Sequence, residues 1–131
     1  MISSLEPKII VISLPKCGST SISRFSSLYC NSIHETWHSG ITDSIVKHKF
    51  GLFPKLSLLN YFDFKYIATE VEVDSSTYNH FLFEDLLERY PNTSFIGVIR
   101  DPLSWCCSML NMWGYFDGLF CLHARIQIPM I

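Results

Sequence analysis

The chain is 131 residues long, enough for one domain with a single core. Hydrophobic residues make up 48% of it and charged residues 17%, which excludes a disordered polymer. A formal charge of −2 excludes any global pull toward nucleic acid or anionic membrane, so an anion site must be local. The five cysteines, at positions 17, 30, 106, 107 and 121, include no CxxC pair. An odd count without that spacing reads as reduced thiols rather than a disulfide framework or a zinc site. Met1 to Lys8 shows no signal-peptide pattern, and no apolar run reaches the ~18 residues of a spanning helix. The expectation is a cytoplasmic chain without a membrane span, or a Golgi one if the sequence is a piece of a longer protein.

Lys8 to Leu14 is a continuous apolar run, as in strands buried on both faces of a parallel sheet. Ser19 to Tyr29 reads as a helix, with Ile22, Phe25 and Leu28 at helical spacing. Ser32 to His38 is ambiguous, with a second strand as one reading. Residues 40–63 suggest short helices punctuated by Gly51 and Pro54. Phe64 to Val71 ("FKYIATEV") reads as a strand, and Ser75 to Tyr90 as a helix closed by Pro91-Asn92. Thr93 to Ile99 is another buried strand. It runs into Asp101, a good N-cap, and Pro102, which suits the first helical position of a helix to about Met112.

Strands alternating with helices predict a three-layer α/β fold with a parallel sheet, in one domain over residues 1–131. Ligands of such sheets bind at the carboxyl ends of the strands. Residues 15–21 and 100–108 both leave carboxyl ends, so they should meet in space. The ending "FCLHARIQIPMI" has no turn or capping logic and reads as a core-facing segment cut off mid-fold.

The break from strand to "PKCGSTS" has the chemistry of a phosphate cradle. A turn entering a helix aims backbone N–H groups at one point, where the helix dipole favours negative charge. Gly18 permits close approach of an anion, Lys16 adds full charge, and Ser19, Thr20 and Ser21 add hydroxyls. A Ser/Thr-capped helix after an ordinary strand is the plainer alternative. The pattern is not G-x-x-x-x-G-K-[ST], because the lysine precedes the glycine. At the second stretch, Arg100 at a strand end and Ser108 about two turns along the next helix offer a place for a second phosphate.

Together "PKCGSTS" and "FIGVIRDPLSWCCS" resemble the PAPS-dependent sulfotransferase family, with the flavour of its carbohydrate-type members. The family's 5′-phosphosulfate loop, Pro-Lys-x-Gly-[ST]-[ST], is matched by Pro15, Lys16, Gly18, Ser19 and Thr20. Its 3′-phosphate motif, an arginine at a strand end with a serine eight positions on, is matched by Arg100 and Ser108. The resemblance implies PAPS as co-substrate, no metal, and a hydroxyl- or amine-bearing acceptor on a carbohydrate or small molecule. It also implies that Lys16, Gly18, Ser19, Thr20, Ser21, Arg100 and Ser108 bind the donor, with Lys16 catalytic as well. Ser21 stands where many members place an aromatic against the adenine. Family members carry a carboxylate or histidine base, for which Glu35 is the expectation, with His34, His38, Glu70 and Glu72 as alternatives. The resemblance ends near residue 113 and covers the N-terminal half of such a domain. An uncovered sheet would then favour self-association. A P-loop kinase and a non-catalytic nucleotide-binding remnant remain the other readings.

Overall fold

A computed structural model describes residues 6–116, with side chains described as far as Met112. Four strands form one parallel sheet in the order β2-β3-β1-β4. The strands are β1 (Ile9–Ser13), β2 (Ser32–Ile33), β3 (Val73–Asp74) and β4 (Ser94–Val98). Helices α1 (Ser19–Ser26), α2 (His38–Lys49), α3 (Lys55–Thr69), α4 (Phe83–Arg89) and α5 (Pro102–Phe116) connect or follow them. The parallel α/β expectation therefore holds.

β1 is the central strand for the reason its sequence suggested: Ile10 and Val11, on opposite sides of the pleat, are both fully buried. Ile10 enters a core with Ile41 and Ile45 of α2, Leu58, Phe62 and Tyr66 of α3, and Leu86 of α4. After β1 the chain builds β2 and β3 on one side of it, then crosses to add β4 on the other. The carboxyl end of β1 is thus a topological switch point, where open α/β sheets place their ligand crevice.

Two expected elements need correction, and so does one expectation of burial: Thr93 to Ile99 contains strand β4 but is not buried, with Ile96 45% and Ile99 95% exposed. Phe64 to Val71 is not a strand; it is the last turn and a half of α3 and the segment that follows. Leu58, Leu59, Phe62, Lys65 and Tyr66 are buried at helical spacing, and this shared face overrides the β propensity of the individual residues. The true strand is β3, only two residues long. Ser75 to Tyr90 is not one helix. A 3₁₀ turn (Thr77–Leu82) gives way to α4 at Leu82, whose backbone lies at φ −124°. The ambiguous Ser32 to His38 contains two strand residues, then a tight turn with Glu35 and Trp37 in the left-handed region at φ 55° and 56°. The apolar ending at Ile126, Ile128, Met130 and Ile131 lies outside the described residues.

Candidate active site

The loop from Leu14 to Gly18 turns the chain from β1 into α1. Lys16 adopts φ 64° and Gly18 φ 99°, so two of these positions are left-handed. Gly18 takes that conformation at no steric cost, whereas Lys16 holds it against a penalty of about 1–2 kcal/mol. No side chain caps α1. Among the described residues, the backbone N–H groups of Gly18, Ser19, Thr20 and Ser21 donate to no protein acceptor. These are the orphan donors of a helix start, and Gly18, Thr20 and Ser21 are exposed around them. The arrangement suits an anion.

The second motif does meet the first. At the end of β4, Arg100 donates through its guanidinium to the Lys16 carbonyl (2.7 Å), and Trp105 Nε1 donates to the Pro15 carbonyl (2.8 Å). Two side chains therefore fasten the strained loop. Asp101 caps α5 by accepting from the Ser104 amide at 2.9 Å, as its position before Pro102 indicated. Arg100 Nε donates to Ser104 Oγ (3.0 Å). Ser104 and Trp105 are thus site residues that the family pattern did not single out. Their signal was positional: each falls in the first turn of a helix that starts at the crevice. Ser108 lies one turn beyond Ser104 on the same helical side and is partly buried.

A third arm comes from the turn after β2. His34 joins Thr20 Oγ1 through Nε2 (3.0 Å) and the Ser75 carbonyl through Nδ1 (3.0 Å). Ser75 in turn donates to the Ser19 carbonyl (3.0 Å), so this arm is tied to the start of α1 at two points. Glu35 Oε1 accepts from the Thr77 amide (2.7 Å) and the Thr77 hydroxyl (2.6 Å), while Oε2 is paired with His38 Nδ1. Burial pushes the Glu35 carboxyl up, but the Thr77 and His38 hydrogen bonds and the His34 charge outweigh it. The carboxyl is held below its ordinary value of 4.5. His34, Glu35 and His38 therefore stand together on the crevice side. Glu70 and Glu72 do not. Glu70 closes α3 in a left-handed conformation, and Glu72 precedes β3, where it pairs with Lys8 at the amino end of the sheet.

Beneath this arm lies a buried ionic cluster that pattern reading missed. Asp74, fully buried, accepts from Lys65 Nζ (2.6 Å), the Tyr66 hydroxyl (2.9 Å), the Ser76 amide (3.0 Å) and the Ser76 hydroxyl (2.6 Å). Burial drives its carboxyl up, but Lys65 and Ser76 reverse this and keep it ionised. Lys65 is equally buried. Its ammonium lies 4.5, 4.4 and 5.0 Å from the ring centres of Phe62, Tyr66 and Tyr78. Ser76 Oγ accepts from the Glu35 amide (3.1 Å), and the Tyr78 hydroxyl donates to the Thr36 carbonyl (2.7 Å). The cluster thereby fixes the turn that carries His34, Glu35 and His38.

Among the described residues no group of three or more His, Cys, Asp or Glu side chains is placed to hold a metal ion. No described helix is long and apolar enough to cross a membrane. The parallel sheet with its intervening helices defines an α/β protein, and its switch point carries an uncapped helix start, a lysine-bearing glycine turn and a bracing arginine. The sulfotransferase domain model matches residues 8–123, and the chain belongs to that family. No curated protein and no solved structure matches it. Membership assigns the chain to sulfuryl transfer as a reaction class.

Proposed function

We propose that the chain transfers a sulfuryl group from PAPS to an acceptor hydroxyl or amine. The observation that carries this reading is the convergence of Lys16, the orphan amides of Gly18 to Ser21, and Arg100 at the carboxyl end of β1. PAPS supplies the activated sulfuryl group. The amides with Ser19 and Thr20 bind its 5′-phosphate, and Arg100 and Ser108 its 3′-phosphate, with Ser21 beside the nucleotide. A bond from the acceptor oxygen or nitrogen to sulfur forms as the sulfur–oxygen bond to the 5′-phosphate breaks, and PAP leaves. Lys16 offsets the negative charge that builds on the departing oxygen. Preorganised electrostatics of this kind usually makes the largest contribution to rate.

The acceptor's proton goes to a side chain of the third arm. Glu35 is the expected base from the sequence, yet its oxygens already accept three hydrogen bonds. Its geometry fits better the part of an orienting carboxylate, with His38 taking the proton on Nε2 while Nδ1 stays fixed by Glu35. Calorimetric titration of PAP, beside the same nucleotide lacking its 3′-phosphate, tests the donor site. Saturable binding that is tighter for PAP is expected. No binding of either nucleotide would overturn the reading.

A further inference from the structure

His34 reaches the start of α1 from the side, and its two ring nitrogens have different partners. Nδ1 lies 3.0 Å from the Ser75 carbonyl, and Nε2 lies 3.0 Å from Thr20 Oγ1. A carbonyl oxygen only accepts, so Nδ1 carries a hydrogen whether the ring is neutral or charged. In the neutral ring Nε2 is then bare, and the Thr20 hydroxyl donates to it. In the charged ring Nε2 carries a hydrogen as well, donates to Thr20 Oγ1, and releases the Thr20 hydrogen. Proton gain by His34 therefore turns the hydroxyl round. The ring is held in place for this, because the Ser75 hydroxyl donates to the Ser19 carbonyl (3.0 Å) and ties the anchor of Nδ1 to the same helix start.

The direction of that hydroxyl matters, because Thr20 is exposed beside the orphan amides of Gly18 to Ser21. With the ring neutral, only lone pairs of Thr20 are left for a ligand, and these repel an anion. With the ring charged, the hydroxyl joins the amides as a donor and the imidazolium adds its own charge nearby. Both changes favour an anion. The other ionisable groups around His34 come from three elements. On its own turn, Glu35 Oε1 lies 4.0 Å from Nε2, and His38 is paired with Glu35. From β3 and the 3₁₀ turn, Asp74 is committed to Lys65 and Ser76, and Tyr78 faces His38. The loop and α1 carry Lys16, Cys17 and Arg24. Among these, only His38 is a second histidine, the side chain that ordinarily changes charge between pH 5 and 8.

We infer that His34 is a positioning residue that couples proton uptake to anion binding at the start of α1, with the Thr20 hydroxyl as the part that turns. That the anion is the 5′-phosphosulfate of the donor rests on the proposed sulfuryl transfer; the coupling does not. The bound state holds more protons than the free one, so affinity rises as pH falls. The test is calorimetric titration of the full chain with inorganic sulfate and with adenosine 5′-phosphosulfate, whose charges stay constant near neutrality. Each is run at pH 6 and pH 8 at fixed ionic strength, in two buffers of different ionisation heat. Binding about tenfold tighter at pH 6, with proton uptake, is expected, the scale of one hydrogen bond to a charged group. His34→Asn should abolish the uptake. Thr20→Val, an exposed change that leaves the ring in place, should remove most of it, whereas Thr20→Ser and His38→Asn should keep it. Affinity for both anions independent of pH, or uptake undiminished in Thr20→Val, would overturn the inference. Proton-linked binding of sulfate without binding of the nucleotide would support it and strike the donor reading. Nucleotide binding without proton uptake would overturn it and leave the donor reading standing, and no binding of either anion would overturn both.

Discussion

Lys65 and Lys16 put the same charged group to opposite uses. Lys65 is fully buried, faces three aromatic rings and is neutralised by Asp74 at 2.6 Å. Lys16 is exposed on a strained turn and, among the described residues, has no acidic partner. In the first case the counter-charge is part of the fold, so the ammonium serves positioning. In the second, solvent carries the charge and leaves the ammonium open to the anionic ligand proposed for it. Charge at a site says little about function until its partner is found; an ammonium without one, beside orphan amides, is the informative kind.

The largest effect should come from breaking the buried side. Asp74→Ala leaves Lys65 buried and uncompensated, with an expected loss of about 3–5 kcal/mol in urea unfolding. Replacing both residues, as Lys65→Met with Asp74→Leu, should recover part of that loss, because the Tyr66 hydroxyl and the Ser76 amide and hydroxyl still lose their acceptor. Recovery would separate a charge-balance role from a packing role. The exposed side should behave in the opposite way. Lys16→Ala is expected to lower sulfate transfer by about 10²–10³ while unfolding free energy stays within about 0.5 kcal/mol of the parent. Equal damage to stability would erase the contrast between the two lysines.

Arg100→Ala should weaken PAP binding by about tenfold to a hundredfold, the range for a charge-assisted hydrogen bond, measured by calorimetry. Ser108→Ala should weaken it less. The nucleotide lacking the 3′-phosphate should lose little affinity in Ser108→Ala, and less than PAP does in Arg100→Ala, which also removes the brace on the Lys16 carbonyl. The smallest effect is acid-linked. The Glu35 carboxyl lies below 4.5 in the folded chain, so the stability it contributes is present above pH 4.5 and lost as pH falls through the folded value. Glu35→Gln should flatten that acid limb in a series of urea titrations and leave the slope near neutrality unchanged.

Legibility followed the range of the forces involved. β1, the existence of β4 and the helix cap at Asp101 were readable because each depends on local pattern: an apolar run, or a capping residue before proline. The loop chemistry of Lys16 and Gly18 was readable for the same reason, and Arg100 does reach it. The exposure of β4 was not, because its place at the end of the described sheet order is set by the other strands. The segment around Phe64 misled because a buried lysine interrupts its apolar face. Lys65 reads as a solvent residue until Asp74 and three rings are seen around it. Such a pairing across chain segments has no signature in either segment alone. Ser104 was overlooked in favour of Ser108 because only the structure shows which hydroxyl Arg100 reaches. Glu35 could be named as a candidate, but its three hydrogen bonds to Thr77 and His38 could not be foreseen, and they change its part in the chemistry.

The placement of β1 sets the order in which the molecule can assemble. Ile9 of β1 pairs with Val73 on one side and Ser94 on the other. Among the described strands, β1 therefore finds no partner until Val73, 64 residues after Ile9, has been synthesised. Its apolar run must wait, paired with nothing, while the helices between form first. Contacts so distant in sequence slow folding, and an unpaired apolar strand is open to association with other chains in the meantime. Of the described strands, the one that delivers Lys16 to the crevice is synthesised before both of its neighbours and must wait for them.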